Sequence, residues 1–171
     1  MAWRTGELYS ARPPILGTYV ASLSGDYEKS VNFGEECLLQ HSKNFTLRNN
    51  HIISLLELEK TSEAVRHHNI QEKPSNETQV VVNLATEGRI NFALKNSIVG
   101  HDLYKQAFHA ASKIEPTEFE QRLRANYLYS MAKYEPLSIS KTLFAEIEKT
   151  AKHKLFDIAI PAKKALASLE E

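Results

Sequence analysis

The chain has 171 residues, of which 42% are hydrophobic, and its 21 basic and 21 acidic residues give a formal net charge of zero. This length and apolar content are sufficient for one domain, or one compact array, with a buried core. The neutral charge argues against a dedicated nucleic-acid-binding protein, which normally carries a basic excess or stripe. No nucleic acid is therefore expected among its partners.

The sequence predicts a soluble, cytoplasmic protein that does not cross a membrane. Its first residues, MAWRTGELYSARPP, contain no apolar core of the kind that a secretory signal requires. No stretch approaches the roughly 18 uninterrupted apolar residues of a transmembrane helix. The single cysteine, Cys37, excludes an internal disulfide and fits a reducing compartment.

Helical spacing of apolar residues runs along almost the whole chain. The one strand-like run, QVVVNL at 79–84, leads directly into Ala85, Ile90 and Phe92 at helical spacing, so the whole segment is predicted as one helix. We predict about nine helices joined by short polar turns. Their predicted ranges are 13–23, 26–41, 45–58, 62–70, 78–98, 102–114, 118–133, 140–153 and 160–171.

The middle of the chain carries two specific boundary predictions. QEKPSNET at 71–78 is the longest loop, and Asn76 or Thr78 is expected to cap the helix that follows it. Glycine breaks helical periodicity more readily than other residues except proline. That following helix is therefore predicted to continue to Ile98, with a turn around Gly100.

Three Arg-x-Asn triplets indicate an internal repeat. They lie at Arg48–Asn50, Arg89–Asn91 and Arg124–Asn126. The predicted helices group into pairs, and each triplet falls in the first helix of a pair. Self-similarity at intervals of this order is typical of arrays built from one supersecondary unit.

A unit of 34 residues fits the first part of the chain. If one unit starts at Ala11, the next starts at Phe45, and the two place the small residues Ser30 and Ala64 at the same position. This pattern resembles the tetratricopeptide repeat, a helix–turn–helix unit of that length. The stretches GDYEKS, KTSEA and HDLYKQAFHAASKIEP resemble the second helix of that family.

The resemblance implies an all-α, right-handed superhelix of about four degenerate helix pairs. The array is expected over 11–157, followed by a capping helix at 158–171 and preceded at 1–10 by an extension or the remnant of another helix. The chain departs from the family pattern because no unit carries its characteristic tryptophan. The spacing of 41 residues between Asn50 and Asn91 also requires an insertion.

In the family, the first helices of successive units line a concave face that binds peptides. The resemblance therefore implies a ladder of arginine and asparagine side chains, suited to an extended peptide with an acidic group or a free C-terminus. The alternative is that each arginine is a solvated residue paired with a local glutamate. The candidate partner-binding residues are Arg48, Asn49, Asn50, Arg89, Asn91, Asn96, Arg124 and Asn126.

The sequence predicts neither catalysis nor a metal or cofactor. His67 and His68 are adjacent, so a helix points them about 100° apart and they do not share a metal easily. Runs such as Glu35–Glu36 and Glu118–Glu120 are typical of solvated helix faces. No glycine-rich phosphate loop or nucleophile elbow is present in the sequence.

The predicted function is therefore a non-catalytic scaffold that binds a protein or peptide on the concave face of the array. One alternative is a peptide-sensing regulatory module of a larger protein, in which the ligand changes the superhelix. Another alternative is a self-association module, which leaves a homo-oligomer open. Concentration-dependent size in solution would separate this last alternative from the other two.

Overall fold

The computed structural model describes residues 12–114 and 118–170, which form helices and the turns that join them. The all-α prediction is confirmed for these residues, and the predicted extension at 1–10 lies outside them. In chain order the α-helices are α1 (Arg12–Leu23), α2 (Tyr27–Leu38), α3 (Phe45–Glu57), α4 (Thr61–Asn69), α5 (Glu77–Ala93), α6 (Ser97–Ala111), α7 (Glu118–Tyr134), α8 (Lys141–Ala151) and α9 (Phe156–Glu170), with a 3-10 turn at Pro136–Ser138.

The chain divides into two compact units at the connection between Ser75 and Asn76. In the first unit, α1 packs against α2 and α3, α2 packs against α3, and α3 packs against α4. In the second unit, α5 packs against α6 and α7, α6 contacts α7, and α8 and α9 pack against α7 and each other. Within each unit, the first helix of a pair therefore also contacts the first helix of the next pair. A right-handed superhelix remains a prediction.

Two hydrophobic clusters share α7, which makes it the central helix of the second unit. Leu123 and Met131 belong to a cluster with α5 and α6. Leu128 and Ala132 belong to a second cluster with α8 and α9. Burial on these two sides fixes the position of α7, and it leaves one stripe of the helix for polar side chains.

The first three helix pairs share one turn conformation. Just after the first helix of each pair, one residue has a positive φ: 81° at Gly25, 59° at Glu59 and 63° at Lys95. The next backbone N–H donates to a carbonyl oxygen in the last turn of the helix, at 3.0, 2.9 and 2.8 Å respectively. This is the pattern of a Schellman motif. The turn recurs after 34 residues and then after 36, so the first interval equals the predicted repeat length.

A small buried residue follows each of these turns by five positions. These residues are Ser30, Ala64 and Gly100, and their size lets the second helix approach the first. The approach is closest in the third pair, where a Cβ on Gly100 would lie 3.1 Å from the carbonyl oxygen of Gly88. Glycine at both places lets the α5 and α6 backbones cross at this distance.

The predicted helix to Ile98, with a turn around Gly100, is wrong. The turn lies between α5 and α6 at 94–96, and Gly100 is inside α6. The physical reason is that Lys95 adopts the left-handed conformation that favours glycine, while Gly100 is required for the close crossing instead. Helical φ and ψ at Gly100 are compatible with its place inside the helix.

Two other boundaries agree closely with the sequence. Asn76 caps α5 as predicted, because its side-chain oxygen accepts the N–H three residues later at 2.9 Å. The last helix, α9, begins at Phe156, two residues before the expected capping segment at 158–171. Ala162 and Ala165 of α9 are buried in the cluster shared with α7 and α8. Whether α9 acts as a cap stays a prediction.

Candidate interaction surface

The three Arg-x-Asn triplets occupy different places in their helices. Arg48 is the fourth residue of α3, Arg89 is the thirteenth of α5, and Arg124 is the seventh of α7. Equivalent positions in a repeat lie at similar depth in their helices. The triplets therefore do not mark equivalent positions, and each arginine has different neighbours.

Arg48 is buried in the first unit, with 6% of the residue exposed. One terminal nitrogen donates to the carbonyl oxygen of Ser42 at 2.6 Å, and the other lies 3.1 Å from Nδ1 of His67. Burial lowers the pKa of Arg48, and the charge of Glu72 opposes that effect. The guanidinium therefore joins the loop before α3 to α4.

His51 lies beside this arginine and is completely buried. Its ring meets the ring of His67 edge-on, with centroids 4.5 Å apart, and neither of its nitrogens has a hydrogen-bond partner among the described residues. Burial lowers the pKa of His51 to about 4, and the charges of His67, Arg48 and Lys60 lower it further in that order. We call Arg48, His51 and His67 the basic cluster.

Arg89 is also buried, with 3% of the residue exposed. Its guanidinium carbon lies 4.9 Å from the ring centroid of Tyr129, which places a cation–π contact between α5 and α7. The charge of Arg89 also opposes the rise that burial causes in the pKa of Tyr104. This arginine therefore packs within the second unit.

Arg124 forms a two-pronged ion pair with Glu146 of α8. Nε and one terminal nitrogen donate to the two carboxylate oxygens at 2.7 and 2.8 Å. The hydrogen bond raises the pKa of Arg124 and lowers the pKa of Glu146. The contact has the form of the alternative interpretation, in which an arginine pairs with a local glutamate.

The candidate asparagines differ in their accessibility. Asn50 donates to Thr18 Oγ1 at 3.2 Å and so connects α3 to α1. Asn91 and Asn126 each donate to the carbonyl oxygen four residues earlier, at 2.9 Å, and both are half-buried. Asn49 is half-buried, and the exposed Asn96 precedes α6 without a side-chain capping bond. A partner-binding role for these residues stays a prediction.

One polar stripe of α7 faces the neighbouring first helices. Arg122, Asn126, Tyr129 and Lys133 form it, at spacings of four, three and four residues that place them on one helix face. Arg122 Nε donates to Asp157 of α9 at 2.7 Å. We call these four residues the α7 stripe.

The ring of Tyr129 joins the α7 stripe to both neighbouring helices. Arg89 of α5 lies 4.9 Å from its centroid, and Lys164 Nζ of α9 lies 6.0 Å from it. Sequence analysis selected Asn126 from this surface but missed Arg122, Lys133 and Lys164. The spacing of the stripe was visible in the sequence, but its pairing with α9 depends on the packing of α7.

The histidines show no arrangement that indicates catalysis. His101 Nδ1 lies 2.8 Å from the hydroxyl of Tyr127, and its Nε2 lies 3.0 Å from a carboxylate oxygen of Glu135. This chain of contacts joins α6 to α7. In the part of the chain that the structure describes, no group of three or more His, Cys, Asp or Glu side chains is placed to hold a metal ion.

Comparison with known proteins identifies no relative. No protein-family model matches the chain, and no curated protein or solved structure matches it significantly. Every helix within 12–114 and 118–170 is too short or too polar to cross a bilayer. A functional proposal therefore rests on the contacts within each unit.

Proposed function

We propose that this protein is a non-catalytic scaffold that binds an extended, acidic segment of a partner protein. The observation that carries the proposal is the side-by-side packing of α5, α7 and α9, which presents the α7 stripe between two flanking helices. The repeated turn after Gly25, Glu59 and Lys95 supports an array of tetratricopeptide-like pairs. Such arrays use the surface of their first helices for binding.

The chemistry of the surface favours a peptide with carboxylates. Asn126, Lys133 and Lys164 are half-buried, so each side chain is held by packing but still reaches solvent. Ammonium groups bind carboxylates, and an amide bonds a peptide backbone through both its donor and its acceptor. Because the surface is built on packed helices, little ordering is required on binding.

The buried arginines define a narrower site than the sequence suggested. Arg48 and Arg89 are each more than nine-tenths buried, so they support the scaffold and are not the groups we propose for peptide contact. Arg124 is about one-third exposed but is engaged by Glu146. Asn126 is therefore the sequence-predicted residue that we retain at the centre of the site.

A charge-reversal experiment tests the proposal. Asn126→Asp with Lys164→Glu reverses the charge of the surface, and the expected result is loss of at least nine-tenths of the partner captured from a lysate of source cells. Gln106→Glu with Lys149→Glu makes the same chemical changes at exposed positions of α6 and α8. This control is expected to capture the same partner as the wild type, with both variants checked for folding by circular dichroism.

Equal capture by both variants would overturn the proposed face. Light scattering of the wild type over a concentration series separates the self-association module, since only that function requires size to increase with concentration. Limited proteolysis with and without the captured partner addresses the regulatory module. A ligand that changes the packing of the helix pairs changes their cleavage pattern, whereas a scaffold of fixed geometry is protected only at the site.

A further inference from the structure

A second exposed surface lies at one end of the second unit, away from the middle of the α7 stripe. The turn between α5 and α6 exposes Leu94 at 46%, Ile98 at 81% and Val99 at 49%. The 3-10 turn after α7 exposes Leu137 completely. Single exposed apolar residues are ordinary, but a group of them is typical of an interaction site.

Two contacts place these turns at the same end of the unit. Lys95 Nζ lies 5.9 Å from the ring centroid of Tyr134, the last residue of α7. His101, near the start of α6, lies 3.0 Å from the carboxylate of Glu135, the residue after α7. The α5–α6 turn and the end of α7 are therefore neighbours. We call Leu94, Ile98, Val99 and Leu137 the apolar edge.

The charges around the apolar edge are unevenly balanced. The segments 94–102 and 134–141 contain two carboxylates, and each has a basic neighbour: Glu135 contacts His101, and Asp102 pairs with Lys105 at 3.1 Å. Lys95 contacts the face of an aromatic ring, where it keeps its charge. Lys141, four residues after Leu137, is exposed. The edge therefore carries an excess of positive charge.

We propose that the apolar edge is a docking site for a partner segment in which aliphatic or aromatic side chains alternate with Asp or Glu. The apolar side chains of the segment cover Leu94, Ile98 and Leu137, and its carboxylates lie near Lys95 and Lys141. Burial of apolar area supplies the affinity, and the charges select acidic over basic segments. This site is separate from the α7 stripe and does not depend on it.

A peptide selection tests the proposal with the full chain as bait. The probe is a library of random 16-residue peptides, selected on wild-type protein and counted by sequencing. We expect enriched peptides to combine apolar residues with an excess of Asp and Glu. Ile98→Asp with Leu137→Asp is expected to weaken their binding at least tenfold, since it places carboxylates in the apolar edge.

A matched control variant removes apolar side chains from exposed sites in the first unit. Leu39→Asp with Ile70→Asp makes the same changes at residues that are 85% and 61% exposed, and it is expected to leave binding unchanged. The proposal is overturned if no peptide is enriched, if the enriched peptides show no excess of acidic residues, or if both variants bind them equally.

A third variant separates this site from the proposed peptide-binding face. Enriched peptides that lose binding to Asn126→Asp with Lys164→Glu, but keep it with Ile98→Asp and Leu137→Asp, would support the α7 stripe and overturn the apolar edge. The reverse pattern supports the edge whatever the fate of the stripe. Dimerisation that the Ile98 and Leu137 variant abolishes would assign the edge to a second copy of this chain and overturn an acidic partner.

Discussion

His51 links the stability of the first unit to pH. Burial lowers its pKa to about 4 from the ordinary value of 6.5, so the unfolded chain takes up a proton before the folded chain does. The free energy of unfolding is therefore expected to fall as the pH decreases from about 6.5 to about 4, by about 3 kcal/mol. Urea unfolding at a series of pH values measures this change.

Two histidine variants isolate the effect of this one group. His51→Gln removes the titrating ring, so its stability is expected to depend less on pH across the same range, although the neutral protein is itself destabilised. His109→Gln removes an exposed ring from α6 and is expected to leave the pH dependence as in the wild type. Identical pH profiles for all three proteins would show that His51 is not responsible.

The asymmetry among the arginines has a simple origin at this scale. Arginine is rarely buried, so a sequence in which it recurs beside asparagine favours a surface ladder. Burial of Arg48 and Arg89 depends on His67 and Tyr129, which lie 19 and 40 residues further along the chain. No pattern local to the triplets carries that information. Charge and spacing alone therefore could not predict which arginines reach solvent.

At the scale of the helices, the repeated turn makes a test of backbone strain. Glu59 and Lys95 hold left-handed conformations that disfavour residues with a Cβ. Replacing either with glycine is expected to stabilise the protein by roughly 0.5–1 kcal/mol, because the strain is removed at a small cost in chain entropy. Thermal unfolding followed by circular dichroism measures the shift.

Gly25 provides the opposite substitution in the same turn. Its φ is 81°, and an added Cβ would meet no atom within 4 Å, so Gly25→Ala tests conformation without a clash. The expected loss of stability is about 1 kcal/mol. Unchanged stability in Gly25→Ala, together with a loss in Lys95→Gly, would contradict the account of strain in this turn.

The elements themselves were largely predictable because helical periodicity is a local property. The one strand-like run, QVVVNL, lies in α5, since the residues after it continue the helical spacing. The turn before α6 was misplaced because a lysine, not a glycine, adopts the left-handed conformation. Asn126 was found from the sequence, but the surface around it was not. Its neighbours Asp157 and Lys164 come from α9, and only packing brings them together.

At the scale of the whole molecule, acid is expected to affect the two units differently. The basic cluster lies in the first unit, where protonation of His51 would add a charge beside Arg48. Protection of α2 and α3 amides is therefore expected to fall by roughly tenfold for each pH unit between about 6.5 and 4. Hydrogen exchange measured by mass spectrometry, corrected for intrinsic rates, locates the change.

The second unit is the internal reference for this measurement. The amides of α5 and α7 are expected to lose less protection than those of α2 and α3 over the same range. An equal loss in both units would contradict the assignment to the basic cluster. It would indicate one cooperative transition for the whole chain.

The crossing of Gly88 and Gly100 limits where this chain accepts a change in length. One extra residue in α5 after Gly88 rotates that glycine by about 100° relative to the turn and brings a side chain into the crossing. An extra residue in the connection at 70–76 leaves both helices intact. In an insertion scan, an alanine after Asn91 is expected to abolish folding, and an alanine after Ser75 is expected to be tolerated. Natural variation in length is therefore expected in the connections between pairs and not between the two glycines.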